Sequence, residues 1–196
     1  GEFYQLDVEM SFVEQDDVFN IVEILLVKLF QNFSKKKIIS KKFPRITYKD
    51  SMLKYGTDKP DLRNPLEISD ITNIFTRDDV KFDIFKKLVK SGSIVRCIVA
   101  NNTKNKPRSF FDNIDKWSKE QGASGLAYFT IEKNPKISGK GPIGKFFSEE
   151  SLKEIMKICN AKEGDSLFLS CGKLKDVESI LSISRNKIAK EMNLIN

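Results

Sequence analysis

Apolar and polar side chains alternate at the start of the chain. Phe3, Gln5, Asp7, Glu9 and Ser11 fall on one face of an extended backbone, and Tyr4, Leu6, Val8, Met10 and Phe12 on the other. This predicts a strand over residues 5–12 in an antiparallel sheet, with one face covered and one open. Carboxylates and an aromatic on the open face suit a ligand bed; the pattern alone equally allows an amphipathic strand with solvated acids. The period then changes. Val18, Ile21, Val22, Leu25, Leu26, Leu29 and Phe33 recur at helical spacing behind Asp16 and Asp17, which suit the positive end of a helix over residues 16–33. That helix is expected to pack on the strand's apolar face. A lysine-rich connection covers residues 34–42. Thr47 then caps a short helix to Tyr55, closed by Gly56.

Pro60 and Pro65 make the next stretch extended and mark a boundary at about residue 64. Beyond it, short strands and helices alternate. Ser69 caps a short helix through Phe75, and residues 93–100 form a strand rich in β-branched side chains. Residues 109–121 form a helix with Phe110, Phe111, Ile114 and Trp117 inward, ended by Gly122. Residues 125–132 return as a strand with Ala127, Phe129 and Ile131 on one face. Ser148 caps a helix with Glu149 and Glu150 in its first turn, residues 165–170 form a strand, and residues 174–192 a last helix. Helices on one face of a mainly antiparallel sheet, an α+β class, fit this alternation.

Composition narrows the chemistry. At 196 residues the chain can bury one large or two small cores. No apolar run approaches a membrane span and no basic-plus-apolar leader is visible, so the protein is expected to be soluble and intracellular. Histidine is absent, which removes His-based triads and His zinc sites from this chain. Cys97, Cys159 and Cys171 are far apart in apolar surroundings and read as buried reduced thiols, with no metal site. The net charge of +7 is uneven: residues 1–34 hold seven acids against one lysine, and the remainder is strongly basic. A basic surface favours polyanions through counterion release, though lysine-rich faces also serve solubility alone.

Two blocks carry a family resemblance. The opening residues 1–12 resemble the end of motif 2 of bacterial-type aspartyl-tRNA synthetases. Phe43, Pro44, Arg45, Ile46, Thr47 and Tyr48, followed by residues 55–64 (Tyr-Gly-Thr-Asp-Lys-Pro-Asp-Leu-Arg-Asn), match the same family downstream. Residues 122–128 and 141–147 look like the GAD insertion domain of its bacterial members. The resemblance implies part of a class II antiparallel-sheet catalytic domain over residues 1–64. A DCoH-like two-layer α/β insertion over 65–175 and a helix returning to the catalytic domain over 176–196 follow.

By the same resemblance, Phe3 stacks on the ATP adenine, Asp7 faces the ammonium of L-aspartate, and Gln5 lines the pocket. Glu9 is similarly placed, with hydrogen bonding to the pocket wall as its simplest role. The implied reaction forms aspartyl-adenylate from aspartate and ATP with Mg²⁺, then transfers the acyl group to tRNA(Asp) in a cytoplasmic homodimer, without membrane or DNA. Motif 1, the motif 2 arginine and motif 3 are not in these residues. The chain is therefore expected to be inactive by itself and to hold no cofactor tightly.

Weaker signals remain open. Residues 58–63 gather charge around Pro60, and a turn held by Asp and Arg hydrogen bonds explains them as well as an active-site border. Lys136, Lys140 and Lys145, interleaved with glycines, could contact tRNA phosphate, although the phosphate-loop pattern is incomplete and a surface loop is the simpler account. Residues 100–108 depart from the glycine-rich turn common in the insertion, which leaves any contact of that loop in doubt. The alternative function is a stand-alone GAD-type tRNA-binding or interaction module without catalysis.

Overall fold

The run Ile94–Ala100 is apolar at every position but Arg96, the mark of a strand covered on both faces. It forms an interior strand of a five-stranded antiparallel sheet in the computed structural model of the chain, which describes residues 1–38, 40 and 42–195. The strands are β1 (Ile68–Asp70), β2 (Ile94–Ala100), β3 (Ala127–Lys133), β4 (Ile137–Lys140) and β5 (Ser166–Gly172). Their order across the sheet is β1-β2-β5-β3-β4. The β2–β5 pairing sets Cys97 opposite Leu169 and Ile98 opposite Phe168.

Helices cover both faces of this sheet, where one face was expected. Helix α3 (Asp83–Lys90) and α5 (Glu149–Cys159) close a core of Val95, Cys97, Phe129, Ile131, Leu167 and Leu169. On the opposite face α4 (Arg108–Glu120) and α6 (Leu174–Glu191) close a second core of Ile98, Phe111, Ile114, Phe168, Leu181 and Ile188. Successive residues of β2 and β5 point to opposite faces and are apolar in both directions, so each face needs a cover. The α+β class holds.

Ser148 caps α5 by accepting the Ser151 N–H at 3.0 Å, and Thr47 caps α2 (Tyr48–Tyr55) by accepting from Asp50 at 3.0 Å. Gly56 ends α2 in the left-handed region (φ 69°), where a Cβ would lie 2.4 Å from the Glu178 carbonyl of α6. Other expectations shift. Ser69 pairs with Cys97 in the sheet instead of capping a helix, and only a 3₁₀ turn follows at Thr72–Thr76. Trp117 is half-buried, with the Lys187 ammonium 5.9 Å from its ring centre, while Ser118 takes the interior position.

By its contacts the chain divides into two compact units, residues 1–46 and the remainder from Thr47. The first holds α1 (Gln15–Phe33), whose start is fastened by the Glu14 N–H donating to Asp17 at 3.0 Å. Arg45 of this unit reaches Glu23 at 3.3 Å and lies over the Phe19 ring. The strand predicted over residues 5–12 is corrected: the segment has no ladder partner among the described residues, and Phe12 sits at φ 57°. Alternation creates two faces, but a strand exists only when neighbouring backbone satisfies its N–H and C=O groups. For the same reason the expected packing of α1 on that strand is not formed, and α1 buries no residue. Of the lysine-rich connection, Ile39 and Lys41 lie outside the described residues.

Candidate functional site

The three opening candidates are open to solvent. Phe3 is 83% exposed, and Gln5 and Asp7 make no side-chain hydrogen bond among the described residues. Their shared parity keeps the three side chains available to one ligand when the segment is extended.

The charged block at residues 58–63 is a hydrogen-bonded turn. Arg63 donates to both Asp61 carboxylate oxygens, at 2.9 Å from Nε and 2.6 Å from Nη2, and its backbone N–H adds a third bond at 3.0 Å. The Arg63 hydrogen bonds hold the Asp61 carboxyl down at about 2. Behind it lies Arg185 of α6, almost fully buried. Arg185 donates to the carbonyls of Leu66 (2.5 Å), Asn64 (2.6 Å) and Asp61 (2.9 Å), and its guanidinium lies 4.8 Å from the Tyr55 ring centre. Burial lowers its pKa, yet a guanidinium, with five donors and no acceptor, suits a site that presents three carbonyl acceptors. The Pro-bracketed segment is thus fastened to α6 by this cation and by Asn64, whose Nδ2 donates to the Arg185 carbonyl and to Asn186 Oδ1 at 3.1 Å.

Lys136, Lys140 and Lys145 do not converge. Residues 137–140 are edge strand β4, and residues 144–146 a 3₁₀ turn. Lys140 pairs with Glu132 at 3.3 Å on the α4 side of the sheet. Lys145 lies over Phe146, whose ring joins Phe82 above the α5-side core. Lys136 is near Glu149, whose carboxyl is held down first by its hydrogen bond to Lys153 and more weakly by the Lys136 charge. The intervening glycines answer to backbone packing: a Cβ on Gly144 would meet the Gly139 carbonyl carbon at 2.3 Å.

Lys140 instead joins a cleft of about 520 Å³ beside the amino end of α4. Its lining joins the cations Lys104, Lys106 and Arg108 to Glu132 and Pro142, with the side chains of Phe111, Tyr128 and Thr130. Phe111 and Tyr128 stack at 4.8 Å between ring centres, and Thr130 joins Ser166 and Thr103 in a buried hydroxyl chain with 2.7 Å links. The cationic loop is shaped by buried Asp165, which accepts from Asn101 Nδ2 at 3.0 Å, the Asn102 N–H at 2.9 Å and the Lys162 N–H at 2.8 Å.

A profile of class II tRNA synthetases (D, K and N) matches residues 1–187. The chain belongs to this synthetase family. It is 71% identical, along its whole length, to the aspartate–tRNA(Asp/Asn) ligase of Pelagibacter ubique, covering 33% of that protein. It is 51% identical to the ligase of the same name from Ehrlichia chaffeensis and 50% identical to that of Wolbachia pipientis, covering 32% of each. The chain therefore spans about a third of the length of the curated relatives it matches.

Within this class II synthetase chain Cys97 and Cys171 are poor nucleophiles, whereas the hydrogen bond with Cys97 lowers the pKa of half-buried Cys159. Cys97 and Cys159 sulfurs lie 3.5 Å apart, and the hydrogen bond to Cys159 together with complete burial pushes the Cys97 thiol up. Burial pushes Cys171 up to about 11. Sequence reasoning missed Lys104, Lys106 and Arg108. The signal was the replacement of a glycine-rich turn by a cationic one; pairing of distant β3, β4 and α4 was needed to set Glu132, Lys140 and Phe111 around it.

Proposed function

We propose that this chain is the part of an aspartate–tRNA ligase that holds the end of the substrate-binding sheet and the GAD insertion. Likeness along its entire length to ligases of that name carries the proposal. The family match begins at residue 1 and takes in the opening segment, which an independent insertion module has no use for. On this reading residues 1–64 belong to the catalytic domain, 65–175 to the insertion, and 176–196 return toward the catalytic domain.

In the working enzyme residues 5–12 become a sheet strand. Phe3 stacks on the adenine of ATP, an apolar contact that gives affinity and position. Asp7 receives the ammonium of L-aspartate, where a fixed carboxylate selects and orients the amino acid for attack on the α-phosphate. Gln5 lines the space between them. Mg²⁺ accompanies the ATP. The share of the reaction carried by these residues is to position adenine and aspartate. Among the described residues, no helix is long and apolar enough to cross a membrane. A cytoplasmic homodimer charging tRNA(Asp) completes the proposal. Lys136, Lys140 and Lys145 are then separate points of tRNA contact, and the names of the relatives support tRNA(Asn) as a second substrate.

The test is aspartate-dependent ATP–pyrophosphate exchange by the full-length ligase that contains this segment, followed by charging of both tRNAs. Aspartate, and neither lysine nor asparagine, should drive exchange. Asp7→Asn should raise the aspartate KM by about 10-fold or more, and Phe3→Ala should raise the ATP KM. Exchange driven by another amino acid would overturn the proposal, and an unchanged aspartate KM would remove Asp7 from the pocket.

A further inference from the structure

The cleft beside α4 has no part in the adenylation assigned to Phe3, Gln5 and Asp7, yet it is built from both signs of charge. Its four cations come from the loop after β2 (Lys104 and Lys106), the first residue of α4 (Arg108) and the end of β4 (Lys140). Three of them rest on carboxylates at surface distances: Lys104 with Glu163 at 3.4 Å, Arg108 with Asp112 at 3.2 Å and Lys140 with Glu132 at 3.3 Å. Exposed pairs of this kind are weak and exchange readily for a better acceptor, such as the three oxygens of a phosphate. Lys106 lies 5.4 Å from the Phe110 ring centre, without a carboxylate among the described residues.

The remaining lining selects among phosphates. At about 520 Å³ the cleft is in the range of small-molecule sites and far larger than a bare phosphate. Glu132 repels a ligand that is anionic throughout, but accepts hydrogen bonds from hydroxyls beside the anionic end. Phe111, Tyr128 and Pro142 supply the apolar part of the lining. We infer that this cleft binds a ribonucleotide unit. Its phosphate lies among Lys104, Lys106, Arg108 and Lys140, its ribose hydroxyls donate to Glu132, and its base or sugar edge rests on the apolar lining. The unit is a free mononucleotide or one residue of an RNA strand; only the latter rests on the tRNA reading.

Titration of the ¹⁵N-labelled full chain with AMP, dAMP and inorganic phosphate tests the inference without any aminoacylation readout. Saturable shifts are expected at Thr130, Glu132 and Gly141, with dAMP and phosphate each weaker than AMP by about tenfold. Arg108→Ala with Lys140→Ala should weaken AMP and dAMP alike by about tenfold or more, whereas Glu132→Gln should erase only the preference for ribose. Phe3→Ala should leave the cleft shifts intact, which separates this site from the proposed adenine site. A single-stranded RNA that binds about tenfold more tightly than AMP, with affinity falling as salt rises, identifies the RNA source; equal affinity identifies the free nucleotide. Absence of saturable cleft shifts with both AMP and RNA, equal binding of AMP and dAMP, or an intact ribose preference in Glu132→Gln overturns the inference.

Discussion

Helices α1 and α6 are nearly the same length, 19 and 18 residues, and both carry an apolar stripe at helical spacing. Their fates differ. α6 buries Val177, Ile180, Leu181, Ile188 and Ala189 against the sheet, while on the α1 stripe Val22 is 43% and Phe33 85% exposed. Periodicity therefore specifies a helix and the face it offers, but burial needs an opposing surface, and most helical stability in a protein comes from that surface. The region from Thr47 is different in kind, since its strands and helices close two cores on one another.

The sharpest test of this contrast is Arg185→Leu. It strands the carbonyls of Asp61, Asn64 and Leu66 that Arg185 now satisfies, and should lower the stability of the second unit by about 3–5 kcal/mol in urea unfolding. Next comes a matched pair. Leu181→Ala, at a fully buried position, should cost about 2–5 kcal/mol, whereas Leu29→Ala, 43% exposed, should stay within about 0.5 kcal/mol. A comparable loss at Leu29 would show that α1 has found a cover. Gly56→Ala should cost about 1–3 kcal/mol, because the new Cβ meets the Glu178 carbonyl at a left-handed position.

The smallest effect is a pH dependence. Asp61 titrates at about 2 when folded, against 3.8 for a free aspartate, so its contribution is present above pH 4 and fades as pH falls toward 2. Its side chain is 36% exposed, which screens the Arg63 pairing and limits the contribution to about 1 kcal/mol or less. Asp61→Asn should flatten this part of the acid limb in unfolding curves taken between pH 5 and 2. An unaltered limb would assign the acid sensitivity elsewhere, for instance to Asp79, held low first by its Arg77 hydrogen bonds.

Much of the second unit was legible because its signals are local. Thr47 and Ser148 as caps, Gly56 as a stop, and strands near residues 94–100, 127–133 and 166–172 require only near neighbours in the chain. Edge strand β4 was hidden within a glycine-lysine stretch, since an edge strand of four residues offers too little alternation to register. Helix α3 passed unnoticed in a short run among charged residues.

The sequence by itself determined the family, through blocks at residues 1–12 and 43–64, and the starts of α2 and α5 and the end of α2, because caps act within a few residues. Tertiary structure alone decided that the sheet is covered on both faces, that Arg185 holds the Pro-bracketed segment, and that Lys140 parts from Lys136 and Lys145 to join Lys104, Lys106 and Arg108. Those outcomes depend on which distant strands pair and in what register. Pairing moves side chains between faces without changing any local pattern.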